Sequence, residues 1–511
     1  MVIVSFTAPL AAAIVVIVFD LYWLFRLGYL TLFLILASCR LSIERRTDWM
    51  GRVQALESPG PSDDGPARTL PSRVSQWIHR RAVAALAASG SRPPPWQSIH
   101  HLVIIPIAKE SQDVVEPGIE SLAHQPFPST QILVVLAVEA RASEAIHAGA
   151  RQIQRRYRDR FLDLMIVTHP DGLPGEARVK GANASYAAHA AARVFTAHRI
   201  PFDQVIASCF DADTVVGPDY IACLTYHFLI SPDRAQASFQ PIPVYHNNIW
   251  DVPAFARVLD IGASFMQLAE ATDPDALVTF SSHSMSFQAL VEVGYWPVDM
   301  ISDDSAIFWK AYIHYDGRYR VVPMYVTLSM DVAAAATWWG TVTNVYRQKR
   351  RWAWGVENFP LVMRAFLRAR RIRRSAKLVH GIKMFEGHVL WATGAFLLTI
   401  GWFPPLFAGR DFSNTVLYYS APRITSIIFH LASLSFLTSI LLSLALVPKP
   451  PRRWPLLTRL ALAFEWLLVP VIFMGLSALP ALDAQTRLML GRRLEFWVTE
   501  KSRRPSSRRP V

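Results

Sequence analysis

Three short clusters in this chain combine residue types and spacings that could do chemistry. Asp211-Ala212-Asp213 sets two carboxylates one residue apart. That spacing lets two hard oxygen ligands approach one Mg2+ or Mn2+ ion, which in turn neutralises a diphosphate; it also suits an acidic surface turn. Ser302-Asp303-Asp304 presents a second acidic pair. A carboxylate here could take the proton of an acceptor hydroxyl, or Ser302 or Asp303 could cap the helical run that starts at Ala306. Gln348, Arg351 and Trp352 bring an amide, a fixed cation and an indole within five residues. The guanidinium can hold phosphate oxygens and the indole can stack on a sugar ring. The same residues also suit a basic helix with tryptophans at a membrane interface.

The elements that must position these groups follow from hydrophobic patterning. Residues 101–106 are a short β-branched run ended by Pro106, and residues 111–124 follow with helical spacing of Val114, Val115, Ile119 and Leu122. Residues 132–138 are a second continuous apolar run. Strand, helix, strand, with each strand fit to be covered on both faces, predicts a parallel α/β sheet. A strand at 164–168, a helix after Gly181 and a strand at 204–210 continue the alternation. Asp211 therefore falls at the carboxyl end of the fourth strand, where ligands bind in such sheets.

The chain has 511 residues, of which 52% are hydrophobic and 18% charged, with a formal net charge of +13. This excludes a disordered chain, a small disulfide scaffold and a simple soluble nucleic-acid binder, and leaves a membrane protein with a sizeable globular domain. Cys39, Cys209 and Cys223 are too few and too irregularly spaced for a disulfide framework or a four-cysteine zinc site, so a reducing compartment is expected.

Residues 5–38 are almost wholly apolar, interrupted by Asp20 and Arg26, and admit one long tilted helix or two short spans. The first basic residue comes too late for a secretory leader. Further apolar runs lie at 388–407, 424–447 and 460–482; the last contains Glu465, Pro470 and Pro480, so a broken, re-entrant or interfacial helix competes with a full span. The expected organisation is a membrane segment at 1–45, a linker at 46–100 with Pro- and Gly-rich runs at 58–66 and 89–95, and a catalytic domain at 101–345. Basic interfacial helices follow at 346–385, membrane helices at 386–485 and a basic tail at 486–511.

The order of the clusters, on an α/β domain flanked by membrane segments, resembles the membrane-bound family 2 glycosyltransferases of the cellulose-synthase-like branch. Their motifs are written D-x-D, T-E-D and Q-x-x-R-W. Phe496-Trp-Val-Thr-Glu-Lys501 matches a fourth, F-x-V-T-x-K, the loop that in cellulose synthase closes over the nucleotide sugar. The resemblance implies an A-type glycosyltransferase fold, a Rossmann-like mixed sheet with N- and C-terminal transmembrane helices. It also implies an inverting transfer of sugar from a nucleotide sugar, a UDP-sugar in the first instance, to a polysaccharide or glycolipid acceptor.

Carried over residue by residue, the resemblance makes Asp304 the general base and gives Asp211 and Asp213 the Mg2+ or Mn2+ ion. Gln348, Arg351 and Trp352 would line the acceptor and diphosphate side, while Phe496, Val498, Thr499 and Lys501 would close the site. Lys180-Gly-Ala-Asn183 is similar to the family's K-A-G-N segment, which implies that Lys180 and Asn183 contact the nucleotide; a turn with a capping asparagine is the alternative. The family's early aspartate is missing, and Glu139 stands in its place as an acceptor for a uracil or ribose. His169 and Arg178 are further candidate diphosphate contacts.

Because such donors are cytosolic, the catalytic domain and the segment at 496–501 should share the cytosolic side of the plasma membrane. An even number of crossings must then lie between them, and 460–482 is the run set aside as a non-span. Single addition to a lipid carrier and an inactive scaffold that keeps the fold are the competing readings, and accessory export proteins are not identified by the sequence. The charge excess is local: residues 347–377 hold eleven basic side chains against Glu357 alone, and residues 492–509 hold seven against Glu495 and Glu500. Basic residues there serve positive-inside retention, anionic membrane lipids and diphosphate binding, with no nucleic-acid groove implied.

Overall fold

The computed structural model describes residues 2–57, 69–275, 277–402, 413–450, 455, 462, 464–494 and 499. Its centre is an eight-stranded sheet in the order β3-β2-β1-β4-β7-β6-β8-β5. The strands are β1 (His100–Ile107), β2 (Ile132–Glu139), β3 (Asp163–His169), β4 (Val205–Cys209), β5 (Val215–Val216), β6 (Ala237–Val244), β7 (Ser284–Ser286) and β8 (Arg320–Ser329). The first four are the strands expected from the apolar runs, and they pair in parallel, β3 on β2, β2 on β1 and β1 on β4.

Continuous apolar sequence is what these strands need, because successive side chains enter opposite faces. Val103, Ile105, Val134 and Leu136 join one buried cluster, whereas Leu102, Ile104, Leu133 and Val135 join the other. Each fully buried aliphatic side chain of this kind contributes roughly 1.5–3 kcal/mol relative to exposure.

Beyond β4 the sheet becomes mixed. Strand β7 runs antiparallel to β4 and β6, and β6 runs parallel to β8 with a register shift between Gln240 and Ile242. The start of β7 and the ends of β6 and β8 consequently reach the same edge as the carboxyl ends of β1 to β4. That shared edge collects every chemically interesting loop of the domain.

The stretch at 46–100, expected to be a linker, contains two helices, Trp49–Ala55 and Leu70–Ala88. Trp49 and Val53 are buried in the main core, and Asp48 caps the first helix by accepting the Gly51 N–H at 2.9 Å. Thr69 and Ser72 form a capping box for the second. Its Pro- and Gly-rich run at 58–66 lies outside the described residues.

Among the described residues three helices are long and apolar enough to cross a membrane: Pro9–Glu44, Val416–Leu446 and Glu465–Met489. The run at 388–407 opens in the helix Arg374–Ile400, and its last residues, 403–407, lie outside the described residues. The run at 460–482, set aside as a non-span, falls largely in the third of these, which has the length and composition of a span but is irregular, with a 3-10 turn, a short α-helix, a π turn at Met474–Ala478 and a final α-helix. It is also fastened to the globular domain. Arg257 donates to both oxygens of Glu465 at 2.7 and 3.0 Å, and Arg350 donates to Asp483 at 2.9 Å.

Candidate active site

Order in the sheet explains the site's location. With β1 lying between β2 and β4, the crossovers diverge beside β1, and a crevice opens outside the carboxyl ends of these strands. Asp211 follows β4 directly into that crevice. The Phe210 N–H still donates to Ile104 O at 2.9 Å, which fixes the aspartate loop to the neighbouring strand.

Lys180 opens the helix Lys180–Ala197 and reaches across the crevice. Its ammonium lies 2.8 Å from Asp211 Oδ1 and 2.9 Å from Asp304 Oδ1, so one cation joins the two acidic clusters. Burial by itself would lower the lysine pKa; Asp211 and Asp304 outweigh it and hold the group well above its ordinary value. The approach depends on Gly181, because a Cβ there would stand 2.3 Å from Pro297 O and 2.9 Å from Asp303 Cβ.

Within Asp211-Ala212-Asp213 the two carboxylates have different surroundings. The Asp211 side chain is 29% exposed and accepts the Ser281 hydroxyl. Asp213 is 1% exposed, and its Oδ2 accepts the Asp331 N–H at 2.7 Å. Among the described residues no group of three or more His, Cys, Asp or Glu side chains is placed to hold a metal. A Mg2+-type ion shared with a substrate diphosphate needs only one or two carboxylates. The donor set fits that arrangement, with Asp211 as the accessible ligand and Asp213 anchored behind it.

Ser302-Asp303-Asp304 begins the helix Asp303–His314. Ser302 makes no side-chain cap bond there, so the capping explanation fails for it. Asp304 keeps its carboxylate 25% exposed toward Lys180. Asp303 turns inward and is 2% exposed; burial, reinforced by Asp304, raises its pKa to about 8. The two adjacent carboxyls thereby have different surroundings, one buried and one open to the crevice.

The helix Trp338–Ala353 carries Gln348, Arg351 and Trp352. Gln348 is buried, and Lys349 is buried against Asp260 at 2.5 Å. Burial lowers the Lys349 pKa, opposed in part by Asp260, and its ammonium stands 3.7 Å from the centroid of the Trp352 ring. Phe280 meets the same indole edge-on with centroids 5.8 Å apart. Because Phe280 precedes Ser281, which holds Asp211, the indole borders the crevice. Arg351 lies close enough to lower the Asp303 pKa.

Other candidates sit elsewhere. Asn183 is buried and donates to Ala137 O at 2.7 Å, a tie from helix to β2. Glu139 ends β2 and pairs with Arg141. His169 meets Glu176 at 2.8 Å, and Arg178 meets Asp171 at 2.8 Å. Thr499 is buried. Phe496, Val498 and Lys501 lie outside the described residues.

Sequence patterning missed the loop before β7. Ser282 holds a left-handed backbone at φ +58, with its hydroxyl 2.8 Å from Thr214 Oγ1 and accepting the Asp211 N–H at 3.2 Å. His283 is fully buried 3.7 Å from Asp304 Oδ1, and burial, opposed in part by Asp304, lowers its pKa. The signal was the polar run Ser281-Ser282-His283-Ser284 in an otherwise apolar neighbourhood.

A family model described as glycosyl transferase family group 2 matches residues 208–475, just over half of the chain. No curated protein matches it. Similar solved structures include the mannosyltransferase PcManGT from Pyrobaculum calidifontis in complex with GDP-Man and Mn2+. It is 14% identical with a TM-score of 0.43, and the match covers 91% of this chain and 100% of that one. S. aureus TarS 1-349 in complex with UDP-GlcNAc is also 14% identical, with a TM-score of 0.37 over 66% of this chain and 91% of that one.

Proposed function

We propose, for a chain that belongs to glycosyl transferase family group 2 and has its A-type fold, that it transfers a sugar from a nucleotide sugar with inversion. The acceptor is a polysaccharide or lipid-linked sugar. The domain faces the cytosol at the plasma membrane, where its basic helices meet anionic lipid headgroups. The observation that carries the reading is the ammonium of Lys180 between Asp211 and Asp304. It brings the metal and diphosphate cluster within one side chain of the proposed base.

Asp304 is the catalytic base, exposed to the crevice beside the Lys180 cation. It takes the acceptor proton while the hydroxyl attacks the anomeric carbon opposite the departing diphosphate. A divalent ion held by Asp211 and Asp213 would neutralise charge developing on that diphosphate. Lys180 supplies fixed positive charge beside it, and Trp352 offers an indole face to the acceptor sugar, flanked by Gln348 and Arg351. Glu139, at the carboxyl end of β2, would accept from the nucleotide, and Thr499 would belong to a segment that closes over the donor.

The test is Asp304→Asn in the full chain in lipid nanodiscs, assayed for nucleoside diphosphate release from UDP-glucose, UDP-N-acetylglucosamine and GDP-mannose. Turnover should fall about 10²- to 10⁴-fold while UDP binding with Mn2+ persists. Undiminished turnover would refute the assignment.

A further inference from the structure

Glu357 lies just after Trp352, in the short 3-10 turn Trp354–Glu357 that leaves the Trp338–Ala353 helix. It looks like one charged residue in a basic surface stretch, yet its carboxylate is committed on both sides. Oε1 accepts the backbone N–H groups of Ile301 and Ser302 at 3.1 and 3.0 Å and the Ser302 hydroxyl at 2.7 Å. Oε2 accepts the Trp354 indole N–H at 2.9 Å. The next residue continues the link, since Asn358 Nδ2 donates to Ser302 Oγ and Ser305 Oγ, both at 3.0 Å.

The recipients are the residues that launch the helix bearing Asp303 and Asp304. Ser302 does not cap that helix itself. Glu357 supplies the carboxylate at this end from 55 residues away in sequence, accepting the Ser302 N–H and hydroxyl together. Charge-assisted bonds of this kind are shorter and roughly twice as strong as neutral ones, and three converge on one oxygen. A residue anchored so firmly fixes the backbone direction at Asp304, two residues on. At its other end the same carboxylate holds Trp354, in the turn that continues from Trp352.

We infer that Glu357 is a positioning residue that locks the loop carrying the base Asp304 to the acceptor-side segment around Trp352 and Trp354, so that proton removal depends on where the acceptor is held. This rests on the reading of Asp304 as the base. Glu357 touches no reacting atom; its effect passes through Asp304.

A mutant cycle in the full chain in nanodiscs separates this from a merely structural role. Glu357→Ala should lower kcat about 10- to 100-fold, the cost of a misplaced catalytic group, with the donor KM and calorimetric UDP–Mn2+ binding within about threefold of wild type. Glu357→Gln retains an oxygen for Ile301 and Ser302 and loses only the Trp354 bond, so it should recover most of that loss. In an Asp304→Asn background, Glu357→Ala should cost less than about threefold more, because residues acting as a unit are non-additive. Wild-type kcat in Glu357→Ala, a matched rise in donor KM, or the full extra loss on top of Asp304→Asn overturns the inference while leaving the base assignment standing. Wild-type turnover in Asp304→Asn alone removes the base and this inference together.

Discussion

The Lys180 ammonium lies 2.9 Å from Asp304 Oδ1 across 124 residues of sequence. That contact turns two acidic clusters, each ambiguous alone, into one site. It also places a cation where a divalent ion would otherwise be the source of charge compensating the two carboxylates.

Removing the ammonium should therefore leave Asp211 and Asp304 with excess negative potential. Lys180→Met should bind Mn2+ alone about tenfold more tightly than wild type. That is a modest share of the ~4 kcal/mol exerted between unit charges at 4 Å in an effective dielectric near 20. Turnover should fall at the same time, because fixed charge beside the leaving diphosphate is lost. Calorimetry with Mn2+ and no nucleotide reads the first effect; unchanged or weaker Mn2+ binding would show that the lysine does not compete for these carboxylates.

Asp303 gives a pH prediction. Burial raises its pKa in the folded protein to about 8, above the ordinary aspartate value, so the folded state binds a proton that the unfolded chain has released. Stability from this group is complete below about pH 4 and is lost as pH rises toward and through 8. Asp303→Asn mimics the protonated form at every pH. The excess of its thermal midpoint over that of wild type should grow from pH 5 to pH 8 and level off near pH 9; parallel curves would show that Asp303 carries no such proton.

Gly181 is the hinge of the crevice geometry, because its missing Cβ admits the Pro297 carbonyl. Gly181→Ala should cost about 1–3 kcal/mol as an overpacking substitution. It should also depress turnover beyond the loss of folded protein, since the Lys180 helix must retreat from Asp303. Specific activity per folded molecule, measured beside thermal stability, checks both parts. A variant that is stable and fully active would mean that the close approach is not needed.

How much of this was legible follows from what each residue depends on. Strands β1 to β4 could be read because a doubly covered strand leaves a local trace, a continuous apolar run, and Asp211 could be placed at the end of one. Lys180 could be singled out only by resemblance, since its reach depends on backbone packing at Gly181, Pro297 and Asp303. Asn183 lies in the same segment and ties its helix to β2 through Ala137 O, a long-range contact that spacing did not reveal. The loop at Ser281 to His283 became visible only once the antiparallel pairing of β7 with β4 carried it to Asp211. Glu357 was counted as the lone acid in a basic stretch, because its partners are distant in sequence.

Glu465 is the same lesson inside an apolar run. From sequence it argued against a membrane span; its partner Arg257, 208 residues away, gives it a structural reason to be there. Arg257 also donates to Ile249 O at 2.9 Å, and its side chain is 8% exposed. Removing only the acid leaves a buried guanidinium without its countercharge, which typically costs about 3–5 kcal/mol. Glu465→Gln should therefore lower the thermal midpoint of the globular domain in nanodiscs, whereas Glu465→Gln with Arg257→Met should recover much of it. If Glu465→Gln leaves that midpoint unchanged, the helix Glu465–Met489 is not held to the catalytic domain by this pair, and its irregular turns must be explained by its lipid surroundings alone.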